Sequence, residues 1–136
     1  MFRIMTTNNN VQLPDRQPTL RIAAMPRDTN PGGSIFGGWI MSQVDIAGSI
    51  AALERARGRV ATVAGKSFEF HQPVFVGDLV SCYARVTHVG NTSITVNIEV
   101  YAQRNPANPY VVKVTEAELT YVALDENRRP RPVPGQ

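Results

Sequence analysis

"GGWIMSQVDIAGSIAALERARG", Gly37 to Gly58, is the stretch whose reading decides the fold. Ile40, Val44, Ala47 and Ala51 recur at three- and four-residue spacing, and Met41, Ile46, Ile50 and Leu53 form a parallel set. That period is a helix, and two such sets make it apolar around much of its girth. Gly58 stands where such a helix would stop.

The chain alternates on the far side of this helix. "VATVAGKSFEF" opens a strand that ends near Pro73. "DLVSCYARVTH" puts Val80, Cys82, Ala84 and Val86 on one face, and "TSITVNIEVY" puts Ile94, Val96, Ile98 and Val100 on one face with Ser93, Thr95, Asn97 and Glu99 on the other. Turns fall at "VFVGD" and "VGNT", and after the "NPANP" break a last strand runs through "YVVKVTEAELTYVAL". Before the helix, "TLRIAAM" from Thr19 to Met25 is a short strand closed by Pro26. One helix and about five strands with short turns give an α+β fold, with an antiparallel sheet wrapped around the helix.

At 136 residues, with 43% hydrophobic and 18% charged side chains, the chain has the composition of one packed domain. Residues 1–17, rich in Asn, Thr, Gln and Pro, read as a loose N-terminal arm, and residues 127–136 as a Pro/Arg-rich tail whose prolines prevent regular pairing. A net charge of +3 is no dense basic surface, so a nucleic-acid partner is not expected. No segment approaches the roughly 18 apolar residues of a membrane span, and the start lacks a signal-peptide core. With one cysteine, Cys82, there is neither a disulfide framework nor a Cys/His metal cluster, and the expected compartment is the cytoplasm.

Several familiar signals fail on spacing. "AGKS" lacks the P-loop glycine, because Val60 stands five residues before Gly65. "GSIFG" misses the nucleophile-elbow spacing, so Ser34 has no activating partner in the pattern. Cys82 lies on an apolar strand face, and His71 and His88 sit at strand ends without ligand spacing. Covalent catalysis by Ser or Cys therefore has no candidate.

What remains is "DTNPGGSIFGGWIMSQVD", with four glycines before or at the helix start and Asp45 inside it. Gly37 and Gly38 let a ligand approach the first helical amides, which lack intrahelical acceptors and carry the positive end of the helix dipole. That is a carbonyl-polarising arrangement. Asp45 lies two turns further in, roughly 10 Å along the axis, among Val44, Ile46 and Ala47. A buried carboxylate must be paired, wet or working. It could accept from loop backbone or pair with an arginine of a neighbouring subunit, and Asn30 could be no more than a turn residue.

Taken as a block, "TLRIAAMPRDTNPGGSIFGGWIMSQVD", together with "F.QPVFVGD", "NIEV" and "YVALDENRRPRPVP", closely resembles the hotdog-fold acyl-CoA thioesterases, specifically the YciA-like bacterial acyl-CoA hydrolases. The resemblance implies a hotdog domain over residues 18–126. It also implies a homo-oligomer, with dimers that pair two sheets edge to edge and commonly assemble as a trimer of such dimers. The implied substrate is acyl-CoA, with no metal and no cofactor beyond the coenzyme A of the substrate itself. In such enzymes the site lies between two subunits. Asn30 of one and Asp45 of the other would act together, Asp45 activating water or attacking directly, with Gly37 and Gly38 polarising the thioester carbonyl. The turn Gly90, Asn91, Thr92 and Ser93 falls where related proteins contact coenzyme A, and Arg57, Arg59, Lys66 and Arg85 are candidates for its phosphates. Gly32 and Ser34 depart from the family's more usual Asn and Asp, a change expected to leave Asn30, Gly37, Gly38 and Asp45 untouched. Hotdog sheets also serve as dehydratases and as binding modules. Phe36 stands where a dehydratase would have its histidine, which disfavours the first alternative.

Overall fold

The helix and strands form in the order read from the sequence. The structure, a computed structural model, describes residues 11–135; the first ten residues of the expected arm, and Gln136, lie outside the described residues. Strand β1 (Leu20–Ala23) leads through a 3-10 turn at Pro26–Asp28 to helix α1 (Gly37–Ala56), followed by β2 (Val60–Phe70), β3 (Leu79–Val89), β4 (Ser93–Arg104) and β5 (Tyr110–Ala123). These strands make one antiparallel sheet in the order β1-β3-β4-β5-β2. Short turns keep β3, β4 and β5 adjacent as a meander. The chain leaving α1 enters at the far side of β5, so β2 becomes an edge.

The alternation sets the core. Val80, Cys82, Ile94, Val96, Ile98 and Val100 are all fully buried, and α1 lies across them with Ile40, Val44, Ala47, Ala52 and Ala56. The curled sheet covers one side of the helix and leaves another apolar side open. Met41, Ile46 and Leu53 remain 45%, 48% and 45% exposed. A sheet meets a helix along one stripe, so wrapping within a single chain cannot account for an apolar girth this wide.

Two further expectations change. The left-handed residue that ends α1 is Arg57 (φ 56°, ψ 44°), not Gly58, whose N–H reaches back to the Leu53 carbonyl at 3.3 Å. Gly58 leaves room for Arg131: a Cβ there would lie 2.8 Å from the guanidinium that donates to the Ala56 carbonyl at 2.8 Å, so a side chain would push this contact aside. The C-terminal segment is likewise not loose. Asp125 Oδ1 accepts from the backbone N–H groups of Asn127 and Arg129, Arg131 Nε donates to the Leu124 carbonyl, and Arg55 donates to the Pro134 carbonyl at 2.6 Å. The prolines do prevent a ladder, but Arg131 satisfies the Ala56 carbonyl at the end of α1, and Arg55 ties the tail to the helix. On the N-terminal side the described part of the arm is also seated, with the Arg16 guanidinium 5.3 Å over the Tyr83 ring. Among the described residues no helix is long and apolar enough to cross a membrane.

Burial pushes the Cys82 thiol up to about 12, from an ordinary 9.0. The native thiol should therefore resist a disulfide reagent at pH 8 and react once denaturant is added. The unfolded chain loses this proton near pH 9 while the folded chain keeps it, so folding stability should fall as pH rises from 9 towards 12. Denaturation curves at pH 8 and pH 10 measure that fall.

Candidate active site

The start of α1 is left uncapped by side chains. Phe36 occupies the N-cap with φ −56° and ψ 135° and makes no side-chain cap. The N–H groups of Trp39 and Ile40 turn back to the Phe36 carbonyl at 3.1 and 3.4 Å, whereas those of Gly37 and Gly38 have no backbone acceptor outside the helix among the described residues. A Cβ at Gly38 would meet nothing within 4 Å, whereas one at Gly37 would lie 3.6 Å from the Phe70 ring. Three loop bonds fix the helix start: Asn30 N to Ser34 O at 2.7 Å, Ile35 N to Val74 O at 2.8 Å, and Phe36 N to Asp28 O at 3.0 Å. Beside Gly37 lies a cavity of about 250 Å³, walled by Ile35, Ile40, Phe70, Pro73 and Val74. Its far wall is pinned by a buried ion pair. Arg104 donates to Asp78 Oδ2 and to the Pro73 carbonyl, both at 2.9 Å, and Asp78 Oδ2 also accepts from Phe75 N at 3.0 Å.

Asp45 is half-buried, between fully buried Val44 and exposed Ile46. Its Oδ1 accepts from the Thr62 hydroxyl at 2.8 Å and from the Tyr121 phenol at 3.0 Å. The same phenol is 3.0 Å from the Asp45 backbone carbonyl. Among the described residues no loop backbone N–H donates to this carboxylate. Burial first, and then the Asp45 charge and hydrogen bond, push the Tyr121 phenol far above its ordinary 10.0, so it stays a donor. The carboxylate opens on a cleft of about 630 Å³ lined by Met41, Ser42, Ala64, Phe68 and Leu119. Gly37 and Asp45 thus border different cavities of one chain, separated by roughly 12 Å of helix.

Asn30 sits in its own turn. Its Nδ2 donates to the Ser34 hydroxyl at 3.2 Å and its Oδ1 accepts from Ser34 N at 3.3 Å, which leaves one amide hydrogen unused by these bonds. A Cβ at Gly32 would lie 3.3 Å from Asn30 Oδ1. The two departures at Gly32 and Ser34 therefore do abut Asn30, contrary to the expectation that they leave it untouched. In a turn this tight, residues two and four positions away are contacts.

The remaining candidates divide into two groups. The turn at Gly90–Ser93 is closed by Gly90 N on Ser93 O, while Thr92 O accepts from Ala123 N and Asn91 O from Val133 N. Arg59 O accepts from Leu124 N, next along the chain, and Arg57 and Arg59 border a cavity of about 440 Å³ with Arg131, Asp125 and Glu126. The end of β5 thus brings this turn and those two arginines together. Lys66 instead pairs with Glu118 at 3.4 Å on the β2–β5 ladder. Arg85 lies opposite Asn97 on the face away from α1, where hydrogen bonds from Lys113 and Asn97, with a lesser pull from Arg85, hold the Glu116 carboxyl below its usual range.

Thr62 and Tyr121 are the site residues that sequence reasoning missed. Tyr121 shares a face of β5 with buried Ala117, Leu119 and Ala123. Gly48 offered the other signal: a glycine inside a helix marks close approach, and a Cβ there would lie 2.3 Å from the Tyr121 oxygen.

A family model described as "Thioesterase superfamily" matches residues 32–107, which hold the uncapped helix start, Asp45 and Thr62. The chain belongs to the thioesterase superfamily. Within this superfamily it is 50% identical over 134 residues to the acyl-CoA thioester hydrolase YciA of Salmonella typhimurium, covering 97% of this chain and 99% of that one. Two solved structures are similar throughout. A hexameric thioesterase from Yersinia pestis is 49% identical with a TM-score of 0.84, covering 91% of this chain and 100% of its own. A hexameric hotdog fold thioesterase of Campylobacter jejuni is 48% identical with a TM-score of 0.84, covering 88% of this chain and 91% of its own. The α+β sheet-and-helix arrangement is accordingly the hotdog fold of this superfamily.

The ion pair behind the Gly37 cavity gives a stability test. Asp78→Ala would strand the Arg104 guanidinium, whose side chain is only 14% exposed, and release the Phe75 amide. A loss of about 3 kcal/mol in urea denaturation is expected, the scale of breaking a buried pair by removing one partner.

Proposed function

We propose that the protein hydrolyses acyl-CoA thioesters to a free carboxylic acid and coenzyme A, at a site completed by two copies of the chain. The observation that carries this reading is the separation of the two halves. Gly37, at the uncapped start of the helix, and the Asp45 carboxylate, two turns on, line different cavities, so one thioester cannot meet both in a single subunit. A neighbouring copy supplies the missing half. Two features of the surface support such a neighbour: β2 is an open edge with Val63 57% exposed, and the apolar side of α1 beside it carries Ile46 and Leu53 uncovered. We read the assembly as a dimer joined along these edges, with such dimers combined further as a trimer.

In this reading Asp45 takes a proton from water as the water oxygen bonds to the thioester carbon. Oδ1 is already engaged by two hydroxyls, so Oδ2 is the oxygen offered to water. Negative charge gathers on the former carbonyl oxygen, where the Gly37 and Gly38 amides of the other subunit stabilise it. The tetrahedral intermediate then collapses, the carbon–sulfur bond breaks, and the leaving coenzyme A thiolate takes up the proton that Asp45 had accepted from water, which restores the carboxylate. Asn30 uses its free amide hydrogen to orient water or carbonyl. The turn Gly90–Ser93 with Arg57 and Arg59 receives the coenzyme A phosphates; Lys66 and Arg85, held elsewhere on the sheet, are weaker candidates. The chemistry calls for no metal or redox cofactor, and the cytoplasm is the compartment that offers the substrate.

A panel of acyl-CoAs with a thiol reagent tests the reading, since released coenzyme A is trapped while buried Cys82 stays silent. Turnover of at least one chain length is expected, and turnover of none would refute hydrolysis. Asp45→Ala should lower kcat about 100-fold or more, the scale of losing a general base, while acyl-CoA binding persists. An inactive Asn30→Ala protein and an inactive Asp45→Ala protein, refolded together, should regain activity in mixed assemblies. Verified hybrids that stay inactive would contradict the shared site.

A further inference from the structure

We propose that Tyr121 is a positioning residue for the Asp45 carboxylate, and that the missing side chain at Gly48 is what lets its hydroxyl reach that oxygen. The proposal rests on the reading of Asp45 as the working carboxylate. An aspartate on a half-open helix face has two free side-chain torsions and would sample several rotamers. Here Thr62 from β2 and Tyr121 from β5 approach the same oxygen from different strands, at 2.8 and 3.0 Å, so Oδ1 is fixed and Oδ2 is turned to the cleft. Both donors are neutral. An arginine in their place would form an ion pair and weaken the base, whereas hydroxyls orient the carboxylate and leave its charge available.

A purely structural role for the phenol is less well matched to the geometry. The Asp45 carbonyl, the other atom 3.0 Å from the phenol, lies inside the helix and already belongs to the helical ladder. Tyr121 is fully buried, and its ring rises to the helix only because position 48 is empty: a Cβ there would lie 2.3 Å from the hydroxyl oxygen and 3.1 Å from Ile98 Cδ1. A glycine in mid-helix is less favourable than alanine, and the chain keeps one at the point where this phenol passes.

Tyr121→Phe removes one oxygen and keeps the ring, so the fold should persist. It is expected to lower kcat about 10-fold with KM changed less than about 2-fold, the pattern of a misplaced base rather than lost substrate contacts. Gly48→Ala should lower kcat in the wild-type background and lower it by a smaller factor in Tyr121→Phe, where the oxygen is gone and only the 3.1 Å approaches to the ring carbon and to Ile98 Cδ1 remain. A lower melting temperature with kcat unchanged would overturn the proposal. A readout independent of turnover is the carboxyl carbon-13 resonance of Asp45 in labelled protein, assigned by its loss in Asp45→Ala. It should move in Tyr121→Phe, and an unmoved resonance would also overturn the proposal. Should the wild type hydrolyse no acyl-CoA, the hydrolase reading fails and this resonance still decides whether Tyr121 holds the carboxylate.

Discussion

A sheet can cover one side of a helix, and α1 is apolar on more than one. Much of this structure follows from that mismatch. The covered side, Ile40, Val44, Ala47, Ala52 and Ala56, is the core of the domain. The uncovered side, Met41, Ile46 and Leu53, remains in contact with solvent unless another surface meets it. At about 25 cal/mol per Å² of apolar surface removed from water, leaving such a side exposed is a standing cost that association would relieve. Asp45 stands on the boundary between the two sides, with Val44 inside and Ile46 outside. A carboxylate placed there can be held by the sheet from within and presented to a cleft from without.

The two ends of α1 are treated oppositely. At the C-terminal end Arg131 donates to the Ala56 carbonyl, and the left-handed turn at Arg57 lets Gly58 N reach the Leu53 carbonyl. The N-terminal end has no side-chain cap, although a Ser, Thr, Asp or Asn at the N-cap would stabilise it by roughly 1 kcal/mol. Phe36 makes no such bond, and the loop before it spends its polar groups on itself, Asn30 on Ser34 and Asp28 O on Phe36 N. Donors left open beside a walled cavity are what a developing oxyanion requires.

Much of this was legible in the sequence. The period of three to four in residues 40–53 and the period of two in residues 80–100 placed the helix and the central strands, because each reflects which face of an element is buried. Asp45 stood out because a charge among apolar neighbours needs a reason, and Gly37 and Gly38 because glycines at a helix start bare its amides. The extent of helix cover was not legible, since the period reports that a face is apolar and not what covers it. The end of α1 was misplaced by one residue because Gly58 looked like a conformational glycine and is a spatial one, vacating room for Arg131. The tail misled for a related reason: prolines forbid a ladder, but nothing local says that arginines will tie the segment to distant carbonyls.

The sequence by itself therefore determined the elements, their order, the inward faces and the presence of an unusual carboxylate two turns into the helix. These are local properties, set by neighbours within a few positions. Only the tertiary structure decided what holds that carboxylate, because Thr62 and Tyr121 lie 17 and 76 residues away from it and are brought to one oxygen by the pairing of β2 with β5. It also decided that Gly37 and Asp45 face different cavities, which distance along the chain could suggest but not settle. Hydrogen bonds between distant positions depend on register and on side-chain reach across the core, and neither is written in any single stretch of residues.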